Sequence, residues 1–131
     1  MNQVLQFLTD NPTFYLATVD GNIPKVRPFG FIMIHQDKLY FCTSNQKEVY
    51  KQLKANPRFE ISTTSKTGEW LRLSGEAVFH TTPETKQAAI TAAPFLSRLY
   101  RVDDSIFELF YIKNAEAVFQ DMKGERRVIK F

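Results

Sequence analysis

The stretch from Pro24 to Pro57 constrains this chain more than any other. It reads PKVRPFGFIMI, then a polar turn HQDK, then LYFCTSNQKEVYKQLKANP. Two runs of strand-forming residues around a polar turn predict strand, turn, strand. A short helix of about Asn45–Ala55 follows, with Ser44 as its cap and Val49, Tyr50 and Leu53 as its buried stripe. A helix mouth carries unpaired backbone N–H groups and a partial positive charge, so it suits an anion such as a phosphate. Lys47 falls in the first turn of that helix, and Arg27 lies on the strand before it. Together with the hydroxyls of Thr43 and Ser44 they make an anion cradle. Taken singly, each has a plainer account: Ser44 caps, Lys47 is a solvated helix residue, and Arg27 pairs with an acid.

The rest of the chain supplies a sheet. Residues 2–10 predict an amphipathic helix on Val4, Leu5 and Leu8, stopped by Asn11 and Pro12. Thr13–Val19 alternates as a strand, and Asp20-Gly21-Asn22 turns it into a hairpin with a second strand, Ile23–Ile34. On that second strand Lys25, Arg27, Phe29 and Phe31 share one side, with Val26, Pro28, Gly30 and Ile32 on the other. Pro28 and Gly30 mark an edge, a bulge, a barrel-corner bend, or a place where something approaches the backbone closely. Leu39–Thr43 is the third strand. Phe59–Thr64 and Glu69–His80 form a second hairpin around Ser65–Gly68. Thr82-Pro83-Glu84 starts a helix that Pro94 ends or kinks, and a short helical piece continues through Phe95–Tyr100. Phe107–Ile112, Ala115–Gln120 and Arg127–Phe131 are the last strands. Roughly seven strands with hairpin connections and a few helices predict one mainly β domain over residues 1–131, a small antiparallel barrel with helices outside.

Composition narrows the function classes. One cysteine excludes an intrachain disulfide, and no apolar run approaches a membrane span, so a cytoplasmic protein without a membrane partner is expected. With one Cys and two His, the chain has no spacing that builds a zinc site, and no metal is expected. His35 falls in a turn and is expected to be solvated. His80 precedes a helix that it helps to cap. Cys42 alternates within a strand as a small buried hydrophobe. No nucleophile elbow, P-loop or dinucleotide fingerprint is present. Aromatic residues make up 14 %, with 12 Phe, which require a core, a ligand site or an interface to cover them. A basic cluster of Lys123, Arg126, Arg127 and Lys130 offers an alternative, a small barrel binding single-stranded nucleic acid. A solvated C-terminal hairpin accounts for it more simply.

Trp70-Leu71-Arg72-Leu73-Ser74-Gly75 is the second unusual stretch. Trp70 and Arg72 share a face at period two, where Trp could stack on a flat ring and Arg could meet a phosphate or carbonyl. The alternative is an exposed pair with Glu69 or Glu76 nearby.

The order of these motifs resembles a known family. P-x-V-R-P, L-Y-F-x-T-S, a Lys at a helix start, L-x-x-N-P-R, W-L-R-L-x-G-x-A and a closing D-x-x-G…V-I-x-F are together similar to the pyridoxamine 5′-phosphate oxidase-like split-barrel flavoproteins. The small members, including the nitroimidazole-resistance type, are the nearer likeness. The resemblance implies a six-stranded antiparallel split β-barrel with flanking helices, working as a homodimer with FMN at the interface. Carried onto this chain, Arg27 and Lys47 would hold the FMN phosphate, with Thr43, Ser44 and Asn45 beside it. Pro28, Phe29, Gly30 and Cys42 would face the isoalloxazine ring, and Trp70 and Arg72 would reach the flavin or the partner subunit. Flavin redox chemistry on a small molecule is the implied activity, with a flavin-binding sensor as the alternative. The family's substrate motif for vitamin B6, a C-terminal Arg-x-His, has no counterpart here, since no His follows His80. Deazaflavin or haem occurs in relatives.

Overall fold

Phe14–Asp20 (β1) and Ile23–Phe29 (β2) form the expected hairpin, with Phe14 paired to Phe29 and Asp20 to Ile23. Gly21 turns it at φ +65°, a conformation open to glycine and costly for most other residues. The computed structural model describes residues 1–131. The chain opens with a helix, Asn2–Asp10 (α1), whose Val4 and Leu8 are buried as its spacing predicts.

The expected strand Ile23–Ile34 is divided. β2 ends at Phe29, and a separate strand, Met33–His35 (β3), pairs with Lys38–Ser44 (β4). A helix, Glu48–Ala55 (α2), follows, then Arg58–Thr64 (β5), Trp70–Phe79 (β6), a helix Pro83–Ala92 (α3), a 3-10 turn Pro94–Arg98, Phe107–Gln120 (β7) and Arg126–Lys130 (β8). All pairings are antiparallel, and the strand path runs β2-β1-β5-β6-β7-β4-β3, with β8 also on β7. β2 and β3 therefore stand at opposite ends of the path although only residues 30–32 separate them. The sheet curls until its ends meet covalently, but they do not hydrogen-bond. This is a split antiparallel β-barrel with flanking helices. It has eight strand segments rather than six.

Phe107–Ile112 and Ala115–Gln120, expected as two strands, are halves of β7. Its first half pairs with β4, its second with β8, and residues 110–120 pair with β6 across both halves. The bend between the halves falls at Asn114, at φ +54°, opposite a register shift between Ser74 and Glu76. Gly75 permits this bend. A Cβ there would lie 2.6 Å from Ile112 Cγ1 and 2.9 Å from the Lys113 carbonyl oxygen.

Alternation fills the barrel. Phe14 and Leu16 of β1, Phe59 and Ile61 of β5, and Leu71 and Leu73 of β6 point inward and are buried. Phe110 is the centre of an aromatic group, with ring centroids 5.5 Å from Phe41, 5.7 Å from Phe59 and 5.3 Å from Phe79. Each such ring contributes roughly 1.5–3 kcal/mol by leaving water. A second, smaller core lies outside the barrel under α3 and the 3-10 turn, built on Phe31, Tyr40, Leu96, Tyr100 and Phe107. Thr82 and Thr85 close the start of α3 reciprocally, each hydroxyl accepting the other's backbone N–H, at 3.0 Å and 2.9 Å. No helix is long and apolar enough to cross a membrane.

Candidate functional site

A cleft of about 220 Å³ opens where four pieces of backbone meet. The end of β2 and its link to β3 give Pro28, Phe29, Gly30 and Phe31. The end of β4 gives Cys42 and Thr43, the start of α2 gives Lys47, and the 3-10 turn with the residues after it gives Phe95, Leu96, Leu99 and Tyr100. Of the residues singled out in the sequence, Pro28, Phe29, Gly30, Cys42, Thr43 and Lys47 come together here. The link from β2 to β3 explains why. Where the sheet splits, no neighbouring strand covers the backbone, and the gap remains open.

Thr43 carries the sharpest signal. It is buried, and its hydroxyl has no hydrogen-bond partner. Leaving such a group unsatisfied costs about 1–3 kcal/mol, so an unpaired buried hydroxyl lining a cleft marks a place for a ligand atom. Gly30 adds a second. The chain would leave a Cβ there only an ordinary contact, 3.6 Å from the Pro12 carbonyl oxygen. Packing within the chain does not require glycine at this position.

The two cations differ. Lys47 lines the cleft, is exposed, and is absent from the four ion pairs of the chain. It is also the N-cap of α2, which starts at Glu48 rather than Asn45. Residues 45–47 form a turn instead, because their side chains and amides are engaged elsewhere. Ser44 Oγ accepts the Gln46 N–H at 3.2 Å, and Asn45 Nδ2 donates to the Ser105 carbonyl at 2.7 Å and to Glu108 Oε2 at 3.0 Å. Ser44 therefore does not cap the helix, and neither Ser44 nor Asn45 lines the cleft.

Arg27 lies outside the cleft lining. Its guanidinium donates to the Leu16 carbonyl at 3.1 Å, to Thr18 Oγ1 at 2.8 Å and to Gln52 Oε1 at 2.7 Å, and the Thr18 hydroxyl donates to Gln52 as well. All these partners are neutral, so the pairing with an acid expected as the plainer account is absent. Burial lowers the pKa of the guanidinium from its usual value. The network ties β2 to β1 and α2 and holds a positive charge with no counter-charge.

Trp70 and Arg72 sit on the face of β6 opposite Leu71 and Leu73, half-buried and exposed respectively, and neither lines the cleft. The C-terminal basic residues sit on and beside β8, interleaved with acids. Lys130 Nζ lies 3.8 Å from Glu116, and the Arg127 guanidinium stacks 4.4 Å over Phe119. His35 Nε2 lies 3.3 Å from Glu84 Oε1, so it is not simply solvated, and His80 Nδ1 is hydrogen-bonded to the buried Tyr40 hydroxyl at 2.9 Å.

The apolar side of the cleft escaped the sequence reading. Phe31, Phe95, Leu96, Leu99 and Tyr100 were assigned only to a strand and a short helical piece. The available signal was the crowding of four large apolar or aromatic residues into Phe95–Tyr100, more than one short turn can bury. Tyr100 stacks on Phe107 at 4.3 Å between centroids and 11° between planes. Burial raises its pKa, with Cys42 and Asp104 adding to the effect, so it stays a neutral donor. Burial likewise pushes the Cys42 thiol up to about 12, against an opposing pull from Lys47. Cys42 is therefore a thiol, not a thiolate, near neutral pH.

The whole chain, residues 1–131, matches the family model described as pyridoxamine 5′-phosphate oxidase. It is similar to a NimC/NimA family protein of Clostridium acetobutylicum, with 40 % identity over all of this chain and 92 % of that one, at a TM-score of 0.97. Two more distant structures share the fold. A pyridoxamine 5′-phosphate oxidase-related, FMN binding protein of Nostoc punctiforme is 15 % identical over 99 % of this chain and 95 % of its own, at a TM-score of 0.62. A heme binding protein of Mycobacterium smegmatis is 17 % identical over 93 % of this chain and 55 % of its own, at a TM-score of 0.72. No curated protein matches the chain. On the match along its full length, the chain belongs to the pyridoxamine 5′-phosphate oxidase family.

Proposed function

We propose that the protein is a cytoplasmic, homodimeric FMN-binding oxidoreductase acting on a small molecule, with the cleft as one half of each flavin site. The observation that carries this is the buried, unpartnered Thr43 hydroxyl in a cleft whose one charged residue is the unpaired Lys47. Lys47 and the first amides of α2 suit a phosphate. Arg27, charged and without a counter-charge, adds positive potential where it is bonded to Gln52 of the same helix. The backbone of Pro28–Gly30 and the Thr43 hydroxyl suit a flat ring with acceptors along its edge. A bound flavin would supply hydride or electron transfer, and the protein would bind, orient and hydrogen-bond it.

Haem suits the residues less well. The lining groups that could ligate iron are Cys42 and Tyr100, and burial holds both in their protonated forms. Size supports a dimer. The cleft is smaller than the roughly 300–1,000 Å³ that usually encloses a small-molecule ligand, so FMN needs a second wall. Trp70 and Arg72, on the outer face of β6, are available to a neighbouring subunit.

The test is flavin retention. Purified wild-type protein should be yellow after desalting and should release FMN, identified by mass, on denaturation. Lys47→Ala should lower the bound fraction most, and Arg27→Ala should lower it too. Equal occupancy in all three, or a monomer that retains FMN, would remove this assignment.

A further inference from the structure

We propose that the turn from Phe95 to Tyr100 forms a second subsite beside the flavin, taking an uncharged flat ring whose acceptor oxygen is hydrogen-bonded by the Tyr100 hydroxyl. The inference rests on the flavin reading above and adds the class of reactant.

Charge is the first argument. Lys47 is the one charged residue of the cleft lining, and in the flavin reading the phosphate uses it. The nearest arginines of the turn do not replace it. Arg98 and Arg101 are outside the lining, and Arg101 already donates to Asp103 at 3.1 Å and 3.2 Å. A phosphorylated or carboxylate reactant would enter with no cation left to meet it, and desolvating an unpaired charge is strongly unfavourable. A neutral ring carries no such penalty.

Shape and rigidity are the second. Phe95 is 56 % exposed and Leu99 66 % exposed, yet the turn that carries them is anchored from behind. Leu96 is buried, and the Tyr100 N–H donates to the Leu96 carbonyl at 2.9 Å. Two large apolar side chains held at the rim of a cleft gain by being covered, and a flat ring covers them with little loss of freedom.

Tyr100 supplies the direction. Its ring is fixed by the stack on Phe107, it is 7 % exposed, and its hydroxyl has no partner in the chain. A donor held in one place inside an apolar wall selects rings that carry a carbonyl-type oxygen over plain hydrocarbons.

Menadione, an uncharged quinone, is the probe, and pyridoxine 5′-phosphate is the anionic control. Both are titrated calorimetrically into FMN-loaded protein with the flavin oxidised and no reductant, so only binding is read. Menadione should bind more tightly than the phosphate ester. Tyr100→Phe should weaken menadione roughly threefold to tenfold, the loss of one hydrogen bond. The double variant Phe95→Ala, Leu99→Ala should weaken it by roughly tenfold or more, the loss of two apolar contacts. Unchanged menadione affinity in both variants, tighter binding of the phosphate ester, or conversion of a dimer to a monomer by the double variant would each overturn the subsite. The last result would mean that a second copy of the chain covers the wall. A protein that never takes up FMN defeats the flavin reading instead. Menadione titrated into that apoprotein still decides the wall, according to whether affinity depends on Tyr100.

Discussion

Inside the barrel every ring is surrounded by other rings. Phe110 packs on Phe41, Phe59 and Phe79, and the cation beside this core, Arg27, has all its neighbours within hydrogen-bond distance. In the cleft the same residue types are left unfinished. Phe95 and Leu99 face solvent, Thr43 donates to nothing, and Lys47 has no acid. A region built for stability satisfies its polar groups and buries its rings, whereas a region built for a ligand leaves both tasks to the ligand.

Substitutions can break that contrast. The largest effect should come from Phe110→Ala, at about 3–5 kcal/mol in urea unfolding, because it leaves a cavity among the rings of Phe29, Phe41, Phe59 and Phe79. Phe95→Ala should stay within about 0.5 kcal/mol. Equal losses would mean that the cleft wall is structural. Gly75→Ala should follow, at about 1–3 kcal/mol, since its Cβ overlaps Ile112 at the bend of β7. A neutral result there would show that the bend yields easily.

The two cations sharpen the comparison further. Arg27→Ala removes three donated hydrogen bonds and should lower stability by about 1–2 kcal/mol. Lys47→Ala should leave stability within about 0.5 kcal/mol while FMN retention falls. Thermal unfolding and flavin absorbance on the same samples separate the two effects.

The smallest loss expected of a side chain engaged in the fold concerns the loop that carries Tyr100 to Phe107. Burial of the Asp104 carboxylate pushes its pKa up, but its bonds to the backbone amides of Arg101, Phe107 and Ile106 outweigh that, as does Lys86 in part, and the net shift is downward. A depressed folded pKa means stability that is complete above the ordinary carboxylate value and lost as pH falls through the lower folded one. Asp104→Ala should therefore be less stable than wild type by about 1 kcal/mol at neutral pH. The difference should begin to shrink below about pH 4 and close once the pH has fallen past the lower folded pKa. A difference that persists in strong acid would assign the loss to packing instead.

Most elements were legible because each rests on local signals. Alternation marked β1, β5 and β6, Asp20-Gly21-Asn22 marked a hairpin, and Thr82-Pro83 marked the start of α3. The two misread strands were matters of partner choice. Residues 23–34 read as one strand, with Pro28 and Gly30 marking a bend or an edge, but β2 and β3 find different neighbours at opposite ends of the sheet. Residues 107–120 contain a left-handed Asn114, yet β6 runs past the break and keeps the strand whole. The site was half legible for the same reason. Thr43, Gly30 and Lys47 sit in motifs, whereas Phe95 and Tyr100 belong to the cleft only because α3 and the turn after it fold back against β3 and β7.

The sequence by itself determined the periodicities, the turns and the residue types that can meet an anion and a flat ring, since these depend on neighbours along the chain. Tertiary structure alone decided that Arg27 spends its donors on Leu16, Thr18 and Gln52 while Lys47 spends none. Hydrogen bonds between residues 9 to 25 positions apart depend on which strand and helix are brought alongside, and no local pattern encodes that.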